Sequence, residues 1–345
     1  MTTADAARPL RLATYNVAWF NALFDDNDRM RRDDGPGGRH GITRARQLDG
    51  LGVVFARLDA DAVMVIEAPD EGPGRSCVAA LEGFAAAFGL RARRALVGFA
   101  SDSQQEIAVM FDPDRLQLVH DPAPGTASAP RFDTAFSFSD PVTGAPEKVR
   151  FSRPPLELLC QTASGAAFHM MGVHTKSKAP SGARTPEDIR RLGLENRRKQ
   201  YGQCLWLRAR IADLLAAGEP LIVLGDFNDG PEVDAFEDMF PRSGVEIVLG
   251  WDDPAELQLY DRHARMGLSK HLAAAPVSAR FQLPDGQYVS ALLDYVMVSP
   301  DLRARALRWR VWNPFDDPGC YGDPHLCQAL MAASDHFPVT LDLNL

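Results

Sequence analysis

The chain has 345 residues, a formal net charge of -9 and 46% hydrophobic residues. This length predicts about two domains, and this hydrophobic content is enough for a sizeable core. The negative charge excludes a protein that coats nucleic acid non-specifically, because such binding draws most of its affinity from cations that face phosphates. A local basic groove is still permitted.

The N-terminal segment and the cysteines indicate the compartment. The segment MTTADAARPLRL lacks an apolar run behind a positive start, and no later segment approaches the roughly 18 uncharged residues of a membrane span. Five scattered cysteines suit a reducing compartment, so we expect a cytoplasmic protein without a membrane span. Cys320 and Cys327 flank His325, which makes a zinc site an alternative to free thiols, although the spacing matches no standard zinc module.

Two predicted strands near the N-terminus each end in a polar residue. Residues 11–17 (RLATYNV) are predicted to form a strand ending at Asn16, and residues 61–67 (DAVMVIE) one ending at Glu67. Between them, Thr43 is expected to cap a helix with one apolar stripe. Asn16 and Glu67 could simply be solvated. Open α/β sheets bind ligands at the carboxyl ends of strands, however, so both side chains also qualify as oxygen ligands.

The segment between these two strands is polar and glycine-rich. Residues 25–41 are too charged for a core and are predicted to form a surface loop. Trp19 and Phe20 lie at its root. They are interpreted either as buried anchors or as rings that stack on a substrate.

A third predicted strand, residues 168–173, runs directly into a basic cluster. His174, Lys176 and Lys178, with hydroxyl residues between them, would suit a phosphate, and a solvated basic turn is the alternative. Thr185 then begins a helix or helix pair that reaches about residue 217. Its arginines and a lysine form the most basic stretch of the chain, interpreted as a solvated face or as a rim that tracks phosphates.

The segment EPLIVLGDFND, residues 219–229, combines a buried strand with polar side chains. Residues 221–224 are a short apolar run that predicts a strand buried on both faces. Gly225 lets the backbone turn closely, and the spacing of Asp226 and Asn228 would point both to one side of an extended chain. An ordinary Asx turn is the alternative.

The C-terminal part adds three more polar residues. Residues 292–298 predict a strand with Asp294 in its interior, where a charge needs a partner. Asp335 and His336 precede a closing strand at residues 337–343 and can face a site from one loop.

Other parts of the chain carry weaker patterns. Residues 112–155 hold many prolines and alternating aromatic residues, which favours hairpins. Residues 231–240 are predicted to form a short helix. Residues 241–290 are predicted to be irregular.

The polar residues that stand out form one set, most of it at strand ends. Carboxylates and carboxamides without cysteine ligands favour Mg²⁺ or Mn²⁺ over zinc. Imidazoles add proton transfer near neutral pH, and a lysine beside them suggests a phosphate substrate. The members are Asn16, Glu67, His174, Asp226, Asn228, Asp294, Asp335 and His336.

These residues lie in motifs that resemble the endonuclease/exonuclease/phosphatase superfamily, which includes deoxyribonuclease I, abasic-site endonucleases, neutral sphingomyelinases and inositol-polyphosphate 5-phosphatases. The motifs are YNVAWF, VIEAPD, GVHTKSK, GDFND, LLDYVMVS and SDHFPV, in the family's order over residues 16–339. The resemblance implies an α/β four-layer sandwich, with two mixed β-sheets packed face to face and helices outside. Because both chain ends contribute, we expect one domain over residues 1–345, with residues 1–9 as a disordered tail.

The resemblance also implies a metal site and a phosphate site. Glu67 would be the principal ligand of Mg²⁺ or Mn²⁺, and Asn16 beside it would contact the metal or the phosphate. Asp335 would be a further metal or water ligand. Asn228 would hold a phosphate oxygen, and Lys176 would also bind the substrate.

The remaining roles implied by the resemblance concern in-line attack of water on the phosphoester. Asp226 would orient or deprotonate the water, His336 oriented by Asp294 would be the imidazole partner, and His174 would stabilise charge on the phosphate. Two positions depart from abasic-site endonucleases, since Ala18 and Ile66 stand where those enzymes usually have an acid and a glutamine.

We therefore predict a divalent-metal-dependent phosphodiester hydrolase, with a nuclease acting on nucleic acid as the preferred assignment. The alternative is a phosphoesterase of the phospholipase C or phosphatase type, acting on a small-molecule or lipid phosphoester. A non-catalytic binding protein is expected to have lost Glu67, Asp226 or His336, and none is missing. The sequence carries no prediction of oligomeric state.

Overall fold

The computed structural model describes residues 8–230, 239–269, 276–283 and 286–345. The strands are β1 (Leu10–Asn16), β2 (Ala62–Ala68), β3 (Arg94–Val97), β4 (Glu106–Phe111), β5 (Leu116–His120), β6 (Phe136–Ser139), β7 (Pro146–Val149), β8 (Leu156–Thr162), β9 (Ala167–His174), β10 (Leu221–Asp226), β11 (Ala279–Gln282), β12 (Tyr288–Ala291), β13 (Asp294–Val298), β14 (Ala306–Val311) and β15 (Val339–Leu343). The helices are α1 (Arg44–Leu58), α2 (Cys77–Phe88), α3 (Pro186–Ala216), α4 (Gly244–Leu249), α5 (Arg262–Gly267), α6 (Pro300–Arg303), α7 (Pro318–Tyr321) and α8 (Pro324–Ala333).

Most strands belong to two mixed sheets. One has six strands in the order β14-β15-β1-β2-β4-β3, and the other has five in the order β13-β10-β9-β8-β5. Each contains a parallel pair, β1 with β2 and β9 with β10, whereas the remaining neighbours are antiparallel. Two separate hairpins, β6–β7 and β11–β12, lie outside these sheets.

The two sheets pack face to face through a shared apolar core. Leu12 and Ile66 of the first sheet lie in the same buried cluster as Leu158 and Leu224 of the second. Gly172 of β9 permits the close approach, because a Cβ there would overlap the sulfur of Met64 on β2. Burial of large aliphatic side chains on both inner faces stabilises the pair of sheets.

Helices cover the two outer faces. A cluster of buried residues from α1, α2 and α8 packs on the six-stranded sheet, and another from α3 and α4 packs on the five-stranded sheet. Leu48, Leu51, Phe55 and Leu58 of α1 are buried, as the apolar stripe predicts. The layers run helix, sheet, sheet, helix, so the predicted four-layer α/β sandwich is confirmed.

Of the two alternatives for the segment that Thr185 begins, the structure has the single helix, α3, of 31 residues. Other predicted elements require correction. Strand β10 continues through Gly225 to Asp226, and β13 begins at Asp294, so this acid lies at a strand end and not in its interior. The segment 241–290, predicted to be irregular, contains α4, α5, β11 and β12.

Two predictions fall largely outside the described residues. The helix predicted over residues 231–240 lies there except for its last two positions. The predicted N-terminal tail, residues 1–9, also lies outside the described residues except for Arg8 and Pro9. Arg8 forms ion pairs with Asp59 at 2.8 Å and with Asp61 at 2.6 Å.

Candidate active site

The two parallel strand pairs deliver polar residues to one rim of the sandwich. Asn16 ends β1, Glu67 lies one residue before the end of β2, and His174 and Asp226 end β9 and β10. His174 and Asp226 are register partners, and Asp226 is also paired with Asp294 across the antiparallel neighbour β13. The carboxyl ends of parallel strands meet at one edge, which is why these side chains converge.

Glu67 reaches this rim because β2 is irregular there. Pairing with β4 shifts between Ile66 and Ala68, and Glu67 has φ 63°. Such a bulge re-aims a side chain that regular alternation would send to the helix-covered face. The Trp19 N–H donates to Glu67 Oε2 at 2.8 Å. Burial raises the pKa of Glu67, an effect that the Trp19 hydrogen bond partly offsets.

Trp19 and Phe20 differ in whether they are buried anchors or rings available to a substrate. The Phe20 side chain is fully buried, so it is an anchor, whereas Trp19 is 51% exposed beside the Glu67 carboxylate. The exposed indole can therefore contact a substrate.

Asn16 links the two sheets. Its Nδ2 donates to Asp226 Oδ2 at 3.0 Å and lies 3.5 Å from Glu67 Oε1, and its Oδ1 accepts from the Ala18 N–H at 3.1 Å. In this arrangement the amide nitrogen bridges the two carboxylates, so Asn16 fixes their separation.

Asp226 and Asn228 form an Asx turn and also place their side chains on one side, so the two interpretations of this segment are compatible. The Asn228 N–H donates to Asp226 Oδ1 at 2.8 Å, which is an Asx turn, and Asn228 has φ 47°. Its Nδ2 also donates to the Thr175 carbonyl oxygen at 3.1 Å. The turn keeps both polar side chains at the rim, and Asp226 is completely buried there.

His336 is held by a carboxylate on the far side of the site. Its Nδ1 lies 2.8 Å from Asp294 Oδ2, which also accepts from Ser278 Oγ at 2.8 Å. Its Nε2 faces Asp226 Oδ2 at 3.8 Å. Burial, the largest influence, lowers the pKa of His336, but Asp294 and Asp226 raise it to about 10. Burial raises the pKa of Asp226 to about 7, although His336 opposes this shift.

His174 approaches the same carboxylate from the other side. Its Nε2 lies 3.6 Å from Asp226 Oδ2. Burial lowers the pKa of His174 well below its usual range, and the positive charge of Arg153 lowers it further. At neutral pH the site therefore holds one neutral and one positively charged imidazole around a single carboxylate.

The chain matches the model of the Endonuclease/Exonuclease/phosphatase family over residues 13–336. It belongs to that family. No curated protein matches its sequence. Among the described residues of this family member, no helix is both long and apolar enough to cross a bilayer.

Solved structures of the same fold carry several activities. A mannosyl-6-phosphatase from Bacteroides thetaiotaomicron (14% identity) and a 3′–5′ exonuclease from Neisseria meningitidis (14%) each match with a TM-score of 0.51 over 97% of this chain and 100% of theirs. An AP endonuclease from Archaeoglobus fulgidus matches at 12% identity, with the same TM-score and coverage. At this identity the likeness establishes the fold, and the substrate must be argued from the site.

Arg153 is a site residue of this family member that sequence reasoning missed. It precedes β8, and the positive charges of Arg153 and His336 both lower the pKa of Glu67. Its NH1 donates to Gln105 Oε1 at 2.5 Å. The sequence RPP around it carries no strand-end or cap signal, so only the packing of the loop reveals its position.

Asp335 and Lys176 lie at the edges of the cluster. Asp335 Oδ2 is 3.3 Å from Arg39 NH1, so its charge is already partly balanced. Lys176 lies two residues beyond His174, and its backbone N–H donates to Gln203 Oε1 at 2.7 Å.

Gln47 on α1 is a second residue that the sequence analysis missed. Its buried Nε2 donates to the carbonyl oxygens of Val17, Ala18 and Ala333, and the Ser334 hydroxyl donates to the Asn16 carbonyl oxygen at 2.7 Å. These bonds tie the segment after β1 to the segment before β15. A glutamine on the buried face of a predicted amphipathic helix was the available signal.

The donor set fits a hard divalent cation. Within the described ranges Glu67 has no ion-pair partner, and its carboxylate accepts only from the Trp19 N–H and, at 3.5 Å, from Asn16 Nδ2. A carboxylate oxygen without a cationic partner is the kind of ligand that Mg²⁺ and Mn²⁺ prefer. Asp226, Asp294 and His336 could also hold an ion, since one donor atom from each lies within 4.8 Å of the others. The 2.8 Å hydrogen bond between Asp294 and the His336 imidazole also suits a proton-transfer unit.

The alternative zinc site near the C-terminus gains no support. Cys320, His325 and Cys327 do not form a group of possible metal ligands, although all three lie in the described part of the chain. All five cysteines are free thiols, and Cys320 Sγ contacts Arg310 NH2 at 3.6 Å.

Proposed function

We propose that this protein is a divalent-metal-dependent phosphodiester hydrolase and that its substrate is a nucleic acid. The observation that carries the proposal is the surroundings of Asp226 Oδ2, which faces Asn16 Nδ2 at 3.0 Å, His174 Nε2 at 3.6 Å and His336 Nε2 at 3.8 Å. Glu67 lies on the other side of Asn16. A buried carboxylate between two imidazoles and beside a hard-oxygen site suits hydrolysis of a phosphoester.

Glu67 would hold Mg²⁺ or Mn²⁺, with Asp335 as a further ligand directly or through water. When bound, such a cation polarises a phosphoryl oxygen and lowers the barrier by several kcal/mol. Asn16, which bridges Glu67 and Asp226, would keep the cation and the water acceptor at a fixed separation.

The remaining roles follow from the hydrogen bonds. Asp226 would accept a proton from the attacking water, because its Oδ2 lies between the Nε2 atoms of the two imidazoles. His336, held by Asp294, would donate to a phosphate oxygen and stabilise developing negative charge. His174 would contribute a neutral hydrogen-bond donor. Asn228 and Lys176 would bind phosphate oxygens.

Two features favour nucleic acid over a lipid or sugar phosphate. Trp19, half exposed beside Glu67, offers a face on which a base can stack. Cationic side chains continue from Arg153 and Lys176 along one side of the site. Because a mannosyl-6-phosphatase has the same fold, hydrolysis of a phosphomonoester is the alternative function to be tested.

A substrate panel tests the proposal. We expect hydrolysis of bis-p-nitrophenyl phosphate and of DNA or RNA with Mg²⁺ or Mn²⁺, little hydrolysis of p-nitrophenyl phosphate, and loss of activity in EDTA that returns on adding metal. Preferential hydrolysis of the monoester, or of a phospholipid, would replace the nuclease assignment. Full activity after exhaustive chelation would contradict the metal requirement.

A further inference from the structure

A pocket lined by cations lies beside the candidate active site. Its volume is about 450 Å³, which is within the range of small-ligand sites. Three parts of the chain form its walls: the loop before β4, the segment from β7 to β8, and residues of α3 together with the segment after β9. The lining residues are Asp102, Ser103, Gln105, Lys148, Val149, Arg150, Ser152, Arg153, Lys176, Lys199 and Gln203.

The charges in this pocket are unbalanced. Its walls carry five cationic side chains and one carboxylate, that of Asp102. Within the described ranges none of the five cations takes part in an ion pair, and Arg153 Nε is buried without a hydrogen-bond partner. Burial lowers the pKa of Lys176, and Arg153 and Lys199 lower it further, as expected for like charges without a counterion.

The arginines of α3 behave differently from Lys199. Arg191 pairs with Asp188 and Glu195, and Arg198 pairs with Asp140 at 2.9 Å. The basic stretch of α3 is therefore mostly neutralised by neighbouring acids, and Lys199 is the member that faces the pocket. An accumulation of unpaired cations in a concave site costs electrostatic free energy unless an anion binds there.

The pocket adjoins the place where the phosphoester would react. Arg153 lines it and also lies close enough to Glu67 and Asp226 to be influenced by both carboxylates. Lys176 follows two residues after His174. An anion in this pocket would thus sit next to the reacting phosphate.

We propose that this pocket binds a second phosphoryl group of the substrate, adjacent to the one that is hydrolysed. The proposal rests on the proposed function and specifies its substrate class: esters with at least two phosphates. Lysine and arginine side chains on several walls can surround a phosphate with charge-assisted hydrogen bonds, and Ser103 and Ser152 add hydroxyl groups. The second phosphate could be the next diester of a strand or a terminal phosphate of a small molecule.

Three substrates that release the same leaving group, p-nitrophenol, test whether the pocket binds a second phosphate. They are thymidine 5′-(p-nitrophenyl phosphate), the same ester with a 3′-phosphate, and the same ester extended through a 3′–5′ phosphodiester to a second nucleotide. We expect the second phosphate to lower KM by about tenfold with little change in kcat, since the added group contributes binding and not chemistry. The advantage should shrink as salt rises.

Lys148→Gln/Lys199→Gln is the decisive variant, because both side chains are exposed and can change without leaving a buried gap. It should lose most of the tenfold advantage, and Lys148→Arg/Lys199→Arg should retain it. Arg305→Gln/Arg308→Gln is the matched control, since it removes the same charge from exposed positions near the opposite edge of the six-stranded sheet.

The KM values of the three substrates separate the pocket proposal from the proposed function. A gain for both two-phosphate esters supports the pocket with either source of phosphate, and a gain for the dinucleotide alone supports it with a strand. Hydrolysis of the simple ester without any gain, or a gain that survives in the Lys148→Gln/Lys199→Gln variant, overturns the pocket and leaves the proposed function standing. Hydrolysis of none of the esters with Mg²⁺ or Mn²⁺ overturns both.

Discussion

Asp226 connects groups from two strands and one loop. Its position at the end of β10 brings it near Asn16 of β1 and His174 of β9, and its carboxylate also faces His336 just before β15. A substitution of Asp226 would therefore change several interactions at once. Substitutions of Glu67 and His336 are easier to interpret, because Glu67 lies next to Asn16 and His336 faces Asp226 from the opposite segment.

Glu67→Gln should abolish metal-dependent hydrolysis while leaving the unfolding temperature without metal nearly unchanged. The carboxylate is half-buried without an ion-pair partner among the described residues, so a neutral isostere avoids part of its desolvation cost. Mg²⁺ should raise the unfolding temperature of the unmodified protein and not of the variant, because a ligand stabilises only the state that binds it.

Thermal unfolding with and without Mg²⁺, together with hydrolysis rates, provides the measurement. Glu157→Gln is the control, since Glu157 is buried in the other sheet beside Arg210 and away from the site. Retained metal-dependent stabilisation in Glu67→Gln would refute the ligand assignment.

His336→Gln should lower kcat by about a hundredfold or more, the usual contribution of a positioned proton donor or acceptor. Asp294 is expected to act through the imidazole, because its carboxylate contacts Nδ1 at 2.8 Å. Asp294→Asn should therefore add little to the loss already present in His336→Gln.

A double-mutant cycle in kcat checks this coupling. If the two losses multiply independently, Asp294 does not act by positioning His336.

At the scale of elements, β9 and β10 are paired at the site in a way that leaves no room for a side chain at Gly225. Gly225 has φ 148°, and a Cβ there would overlap the Val173 carbonyl oxygen. The strand therefore needs glycine next to Asp226. The motif GDF identifies the residue, but only the strand pairing explains why it is required.

Gly225→Ala should lower both stability and activity, because relief of the overlap must push β10 away from β9 and displace Asp226 from His174. Gly89→Ala is the control, since Gly89 ends α2 with φ 61° in open space. It should cost about 1 kcal/mol, the strain of a left-handed conformation, and leave kcat unchanged.

Urea unfolding and steady-state kinetics of both variants measure these effects. Equal losses of stability, with activity kept in Gly225→Ala, would contradict the role assigned to Gly225.

The elements predicted best are those with local signals. Thr43 and Thr185 cap α1 and α3 through hydrogen bonds from the residue three positions later, as their sequences predict. Strands β3 and β14 at the sheet edge and the short helices near the C-terminus were not predicted. Their hydrophobic patterns are short, and tertiary pairing determines their conformation.

At the scale of the molecule, the site joins both ends of the chain. Asn16 comes from the first strand, and His336 precedes the last. Strands β1 and β15 are neighbours in the six-stranded sheet, and Asp226 reaches both residues from the five-stranded sheet. The site thus needs both chain ends and both sheets, so we propose that residues 1–345 form one domain. Cytoplasmic location remains a prediction.

A buried ion pair ties helix α3 to the five-stranded sheet and gives a pH test. Arg210 Nε lies 3.1 Å from Glu157 Oε1, yet burial outweighs this attraction and raises the pKa of Glu157 to about 7. Because the folded pKa exceeds the unfolded value, Glu157 contributes stability below about pH 4.5 that is lost as pH rises through about 7.

The unfolding free energy of the unmodified protein should therefore fall more between pH 5 and pH 8 than that of Glu157→Gln, by on the order of 1–3 kcal/mol. Urea unfolding at several pH values provides the measurement. Glu147→Gln, at an exposed position, should keep the unmodified slope. Identical slopes in Glu157→Gln and the unmodified protein would contradict this pKa shift.

The sequence by itself determined the family motifs, the helix caps, the four-layer arrangement and the identities of the polar residues at strand ends. These depend on contacts within a few residues or on motif order, both of which can be read along the chain. The bulge that aims Glu67, the position of Arg153 and the cation-lined pocket were decided by the tertiary structure. They depend on strand register and on loops that pack across the two sheets, so distant segments must come together before those interactions exist.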